Sequence, residues 1–378
     1  MKILAAVDSF KGSLSSIEVA EAIKAGIHRV SPDMEVLTIP MADGGEGTVE
    51  AMVIATGGKF ITKEVTGPLG TPVKARFGLL PDGTAVLEMA EASGLTLVPE
   101  DQRDPRITTT YGTGELIKLA LDHGATNIVM GIGGSATNDC GAGMAQALGV
   151  RLLDAEEKDL SYGGSQLDKL QRIDMTGLDP RIKDVKIQVA CDVQNPLCGP
   201  TGASAIYGPQ KGATPEMVKE LDNKLSYFAE QFKEQLNIDV AEVPGAGAAG
   251  GLGAGLIAFT GAELKSGVEL VSDTINIDSL MEQVDLVITG EGQIDSQSAY
   301  GKVPMGVAVR AAKYDKPVIA IAGSIGTGLE KLYELGIGSV VTIVNGPTSL
   351  KDAMENAANL TADATERTFR LLRTAKNI

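Results

Sequence analysis

Short apolar runs that stop abruptly at polar or glycine-rich residues constrain this chain more than any other feature. Ile3–Val7 is one, closed by Asp8, and Val36–Ile39 follows it. Leu286–Thr289, Val318–Ala322 and Val340–Val344 repeat the pattern near the other end. A run without polar alternation fits a strand covered on both faces, as in a parallel sheet. Parallel strands need crossovers of helix length, and the intervening segments supply them. Ser15 and Glu18 form a capping box, Ala20, Ile23, Ile27 and Val30 recur at helical spacing, and Pro32 and Asp33 end the helix. A second helix starts near Thr48 and stops at Gly57 and Gly58. The two ends of the chain therefore read as parts of one doubly wound α/β layer.

The middle has a different rhythm. Val73–Leu79 and Ala85–Met89 flank Pro81-Asp82-Gly83, a hairpin signal. A helix over Glu115–Asp122 then feeds a strand over Asn127–Ile132. Thr214 and Pro215 open a long helix with Met217, Leu221, Leu225, Phe228, Phe232 and Leu236 on one face. These features predict a second α/β domain over 67–284, inserted into a first made of 1–66 and 285–378. At 378 residues the chain is long enough for two such bodies.

Charge and cysteine usage exclude several classes. A net charge of −16 opposes a nucleic-acid backbone or an anionic membrane surface, each of which needs a basic face. Cys140, Cys191 and Cys198 form no C-x-x-C pair, against a disulfide framework or structural zinc. No signal-peptide pattern and no run of membrane-spanning length is found, so the expected location is cytoplasmic. His28 and His123, the two histidines, fall late on helices, which disfavours a Ser-His-Asp triad.

Chemistry concentrates in six polar or Gly-rich segments: AVDSFKGS (6–13), ADGGEGT (42–48), GIGGSATNDCGAG (131–143), CDVQNPLCGPTGAS (191–204), PGAGAAGGLGAG (244–255) and TGEGQIDSQSAYGK (289–302). Four directly follow strand-like runs, where open α/β sheets bind ligands. Asp8 and Lys11 precede a capped helix, an arrangement that suits either an anion site or a solvated turn. Asp43 and Glu46 lie among glycines and could hold Mg²⁺, accept a proton, or simply form an acidic turn. Gly133, Gly134, Ser135 and Thr137 suit phosphate oxygens, and Asp139 could add a metal contact. Asp192 and Asn195 read as a hard-metal pair or an Asx turn. Glu291, Asp295 and Lys302 after a buried strand are hard to explain by packing. Gly245-x-Gly247-x-x-Gly250 matches the letters of a dinucleotide fingerprint but follows Pro244 rather than a strand. No Walker-type loop and no protein-kinase signature is found.

In order and spacing, DSFKGS, ADGGEGT, GGSATND, CDVQNPLCG with GPQKGA, GAGAAGGLG and GEGQID with the later GK resemble the type I glycerate kinase family over nearly the whole chain. The resemblance implies a flavodoxin-like parallel-sheet domain with a second α/β domain inserted, and a kinase moving the γ-phosphate of ATP to D-glycerate with Mg²⁺. It also implies the 2-hydroxyl as acceptor, giving 2-phosphoglycerate. Homo-oligomerisation stays open.

Physical reasoning then distributes roles. Ser9, Lys11, Ser13 and Glu291 are expected on substrate, with Lys11 neutralising developing charge. Asp43 is expected to accept or orient the hydroxyl proton, and Asp192 and Asp295 to bind Mg²⁺, with Asp295 counted among the catalytic residues. Gly133, Gly134, Ser135, Thr137, Gly247 and Gly250 are expected against the nucleotide. An NAD(P)-dependent oxidoreductase reading Gly245–Gly250, and a non-catalytic binder of small anions, are the alternatives.

Overall fold

The central apolar runs become strands covered on both faces, with Ile3 through Val7 wholly buried, whereas the Val36–Ile39 and Val340–Val344 runs fall on edge strands that are only partly buried. In the computed structural model, which describes residues 1–299 and 301–375, the strands in chain order are β1 Lys2–Val7, β2 Glu35–Pro40, β3 Lys59–Thr66, β4 Pro72–Leu79, β5 Thr84–Glu88 and β6 Asn127–Gly131. They continue with β7 Arg151–Leu153, β8 Arg172–Asp174, β9 Lys186–Ala190, β10 Glu263–Lys265, β11 Leu286–Ile294, β12 Val318–Ile325 and β13 Ile337–Thr342. The chain packs as two compact units, one of residues 1–43, 50–56 and 267 onward, the other of 44–49 and 57–266.

The first unit holds a five-stranded parallel sheet in the order β13-β12-β11-β1-β2. Counted within the unit, this is the 2-1-3-4-5 order of flavodoxin-like folds. β1 takes its place by pairing Ile3 with Val36 on one side and Leu286 on the other. The helix Ser16–His28 carries the expected capping box, Glu18 N–H donating to Ser15 Oγ at 3.3 Å and Ser15 N–H to Glu18 Oε2 at 2.8 Å. Its apolar face joins Ile3, Ile288, Ile321 and Phe369 in the core. It packs on the long helix Ala357–Ala375.

The second unit holds a six-stranded sheet, β10-β9-β6-β5-β4-β3. Its first four strands are parallel, while the Pro81-Asp82-Gly83 turn sends β4 back antiparallel to β5. β7 and β8 make a small separate pair. The helix Pro215–Gln231 is capped by Thr214 and buries Leu221, Leu225 and Phe228.

The borders of the units differ from 66/67 and 284/285. β3 pairs along its whole length with β4, from Lys59↔Leu79 to Thr66↔Pro72, and so belongs to the second sheet. It is a mostly exposed edge strand, with no apolar run to announce it. Helices Gly267–Thr274 and Ile277–Met281 belong to the first unit, where Arg310 binds Asp273 and, at 2.8 Å, Asp278.

Gly26 sits where the Ser16–His28 and Ala357–Ala375 helices touch: a Cβ there would lie 2.3 Å from the Ala362 carbonyl oxygen. In an open helix Gly→Ala gains about 1 kcal/mol. Here Gly26→Ala is expected to lose roughly 1–3 kcal/mol through overpacking. Chemical denaturation would read that reversal of sign.

Candidate active site

Open parallel sheets bind ligands beyond the carboxyl ends of their strands, where the strand order reverses. In the first unit that point lies between β1 and β11. Asp8 N–H donates to Gly290 O at 2.9 Å, so the end of β1 is tied to the middle of β11. Asp8 is buried, and its carboxyl is raised to about 7, chiefly by burial and then by the charge of Asp43. Lys11 and the Ser9 N–H, which donates to Asp8 Oδ1 at 2.6 Å, oppose that rise. The Lys11 ammonium lies 3.4 Å from Asp43 Oδ2. Burial disfavours its charge, but Asp43 and Asp8 outweigh burial and hold it above the ordinary lysine value. Glu291, in the second half of β11, is buried and raised by burial, while Ser298 Oγ and Lys302 Nζ, the latter at 3.1 Å, donate to it. Lys302 stands at the N-cap position of the helix Val303–Ala312, where the helix dipole adds positive potential.

These groups form the charged end of a cavity of about 660 Å³ lined by Asp8, Ser9, Lys11, Ser13, Glu291 and Lys302, with Ile343, Leu350, Met354 and Ala357 along an apolar wall. Ser13 donates its hydroxyl to the Met354 carbonyl at 2.7 Å, so it anchors that wall. Asp295 is not among the lining residues: its oxygens accept from Gln297 N–H at 2.8 Å and Gln293 Nε2 at 3.0 Å, closing an Asx turn.

The second unit carries the other predicted residues. Beyond β6, Gly133 and Gly134 are exposed. The turn they form is fixed by Leu95 N–H to Gly134 O at 2.8 Å and Ala136 N–H to Ser93 O at 2.9 Å. Ser135 Oγ accepts from Lys211 Nζ at 2.7 Å, and the same ammonium donates to Thr137 O at 2.7 Å. Lys211 is 2% exposed, and burial pushes its ammonium down to about 7 against the pull of Asp139. Asp139 does not suit the metal contact expected of it. Wholly buried, it accepts from Thr110 N and Oγ1, Gly141 N and Gly143 N, so it holds the loop together.

Gly247 and Gly250 are buried, and what approaches them is the chain's own backbone. A Cβ at 247 would lie 2.2 Å from Pro196 O, and one at 250 would lie 2.0 Å from Thr137 O. The apparent dinucleotide fingerprint runs into the helix Ala248–Thr260 with no strand before it. Asp192 is exposed just past β9, and Asn195 braces its loop by donating to Thr201 O and accepting from Tyr207 Oη. Asp192 thus belongs to the second unit and Asp295 to the first. Asp8 and Lys211 are the residues that sequence reasoning undervalued. Asp8 was visible as the residue that ends β1, whereas nothing local marks Lys211 as buried.

The comparisons with known proteins agree with this architecture. The glycerate kinase family profile matches residues 3–373. Glycerate 2-kinase of Escherichia coli K12 is 56% identical over 358 residues, covering 94% of each chain. Glycerate kinase of Bacillus subtilis 168 is 54% identical over 359 residues, 95% of this chain and 94% of its own. A crystal structure from Salmonella typhimurium LT2, of a protein assigned as glycerate kinase 2, superposes with a TM-score of 0.91 at 51% identity and covers both chains fully. The chain belongs to the glycerate kinase family. Among the described residues no helix is long and apolar enough to cross a membrane.

One titrating group away from the cavity gives a stability test. Glu88, at the end of β5, accepts from Val49 N–H at 2.9 Å, and its carboxyl is raised from 4.5 to about 7, first by burial. The folded chain therefore holds this proton more tightly than the unfolded chain, and stability falls as pH rises between those values. Glu88→Gln keeps an acceptor without the charge. It is expected to melt above the wild type at pH 8 and close to it at pH 4, as thermal unfolding at both values would show.

Proposed function

We propose that this chain transfers the γ-phosphoryl group of ATP to the 2-hydroxyl of D-glycerate at the charged end of the first unit's cavity. The observation that carries the reading is the set of Asp8, Lys11, Glu291 and Lys302 at the β1/β11 switch point of a glycerate kinase family chain. The E. coli relative, a glycerate 2-kinase, supports the choice of hydroxyl.

A carboxylate acceptor and a nucleotide repel one another, so catalysis is mostly positioning and charge stabilisation. Lys11 and Ser9 face the cavity and would hold the glycerate carboxylate, while Lys302 at its helix N-terminus would stabilise charge on the transferring group. Asp43, steered by Lys11, would orient the hydroxyl proton, a modest contribution where bond cleavage to the leaving group runs ahead. Among the described residues no three His, Cys, Asp or Glu side chains converge as a metal cage. Mg²⁺ does not require one, since it takes one or two carboxylates and keeps waters and phosphate oxygens. Asp192 and Asp295 do not line the cavity, whereas Asp8 is a buried carboxyl at its charged end, raised first by burial and then by Asp43, so Asp8 would hold the ion. Bound there with the nucleotide, it would neutralise phosphate charge.

Incubation with ATP, Mg²⁺ and D-glycerate, followed by phosphorus NMR, is expected to show 2-phosphoglycerate. ATP turnover independent of glycerate, or a 3-phosphoglycerate product, would refute the activity or its regiochemistry respectively. Lys11→Ala is expected to lose about 10²–10³ in turnover, the usual size for one electrostatic donor. Asp8→Asn is expected to raise the Mg²⁺ concentration needed for half-maximal rate before glycerate affinity changes. Overlaid metal titrations would assign Asp8 elsewhere.

A further inference from the structure

We propose that the exposed Gly133–Gly134 turn and the Ser135 hydroxyl form an oxyanion site in the second unit, with Lys211 as the buried positioning residue that makes Ser135 a fixed donor. The proposal rests on the kinase reading, because its oxyanion is one that the two substrates bring: a nucleotide phosphate or the glycerate carboxylate.

Lys211 is the unusual group. A buried ammonium is costly unless it is paired. Both hydrogen bonds of this ammonium go instead to neutral oxygens, Ser135 Oγ and Thr137 O, each at 2.7 Å. The opposite charge that acts on it is Asp139, whose oxygens are committed to Thr110, Gly141 and Gly143. In its ammonium form Lys211 therefore sets a positive charge without a bonded counter-carboxylate at the base of the loop, a charge that burial lets it hold only up to about pH 7.

Ser135 transmits that charge. A hydroxyl oxygen accepting from an ammonium has one proton left to give, and it cannot give it back to a group with no lone pair. Lys211 thus sets Ser135 as a donor directed away from itself and polarises its O–H bond. Ser135 keeps 6% of its surface accessible. It follows two exposed glycines, which place no side chain in front of it. The turn is pinned by the Leu95–Gly134 and Ser93–Ala136 backbone bonds and by Thr108 Oγ1, which donates to Ala136 O at 2.8 Å. A donor held this firmly needs little reorganisation when an anion arrives. The same loop also buries Thr137 Oγ1 and Asn138 Oδ1 without hydrogen-bond partners.

The test uses the full chain with Ser135→Ala, Ser135→Thr, Lys211→Met and the Ser135→Ala/Lys211→Met double variant. Calorimetry gives the affinity for ATP with Mg²⁺ and for D-glycerate separately, steady-state kinetics give KM and kcat for each, and thermal melts check folding. Ser135→Ala is expected to weaken binding of one substrate and raise its KM about 10–100-fold, leaving affinity for the other unchanged. Loss confined to ATP assigns a phosphate, and loss confined to glycerate assigns the carboxylate. Lys211→Met should weaken the same substrate. The double variant should lose no more than about threefold beyond the worse single, because Lys211 acts through Ser135. Ser135→Thr, which keeps the hydroxyl, should restore binding. Unchanged affinity for both substrates in Ser135→Ala, or multiplied losses in the double variant, would overturn the proposal. If Lys211→Met fails to fold, the Ser135→Ala and Ser135→Thr pair decides alone. If the wild type does not phosphorylate glycerate, the kinase reading fails separately. Inorganic phosphate binding to wild type and Ser135→Ala then decides the site: weaker binding in the variant upholds it, and equal binding overturns it.

Discussion

The parallel register of β1 with β11 is the constraint on which the first unit depends. It joins Ile3 to Leu286 across most of the chain, and it is clamped at both ends. Lys2 N–H donates to Asp285 Oδ2 at 2.7 Å at one end, and Asp8 N–H to Gly290 O at 2.9 Å at the other. Closing so long a loop costs entropy that grows only slowly with its length, so a few buried apolar strands can meet that cost. Once the register is set, Asp8 and Glu291 have little freedom. Asp8 is the polar residue where buried β1 runs out, Glu291 is a buried carboxylate within β11, and the register brings both to the same end of β1.

That end of β1 explains how a strongly acidic chain can handle anions. The charge of −16 is an average over the whole molecule, whereas the cavity sees Lys11 and Lys302 at close range together with a helix N-terminus. Asp43 lies 3.4 Å from Lys11 and Glu291 3.1 Å from Lys302, and Asp43 and Asp8 hold the Lys11 ammonium above its ordinary value. Asp8 and Glu291 are buried, where a local charge counts for more than a solvated one would. The second unit uses a different economy, with a single ammonium sealed beneath a glycine turn and no carboxylate bonded to it.

Much of this was legible in the residues themselves. Strands covered on both faces leave uninterrupted apolar runs, and β1, β11 and β12 announced themselves that way, as did the Ser15–Glu18 and Thr214 caps. β3 did not, because an exposed edge strand needs no apolar pattern and is held by its neighbour's backbone. Among site residues, Lys11 and Glu291 could be read from their place after an apolar run. Burial of Lys211 could not, since Gly208-Pro209-Gln210 before it reads as a solvent turn. Gly247 and Gly250 show the converse difficulty. A glycine demanded by close approach looks the same in sequence whether the approaching group is a ligand or, as here, the carbonyl of Pro196 or Thr137.

The chain order of the first sheet also sets a schedule for its birth. β1 and β2 leave the ribosome early, yet β11, β12 and β13 are made only after the 245 residues between Pro40 and Leu286. At about 5–20 residues per second, that interval is roughly 10–50 s. Throughout it β1, destined for the middle of a sheet, has at most one of its two neighbours. The nascent N-terminal segment therefore carries an unpaired, wholly apolar strand edge while the second unit is synthesised as a nearly continuous run. Such an edge invites pairing with other chains. Translation pauses, crowding by neighbouring ribosomes and chaperone supply should thus affect the yield of this enzyme through that interval.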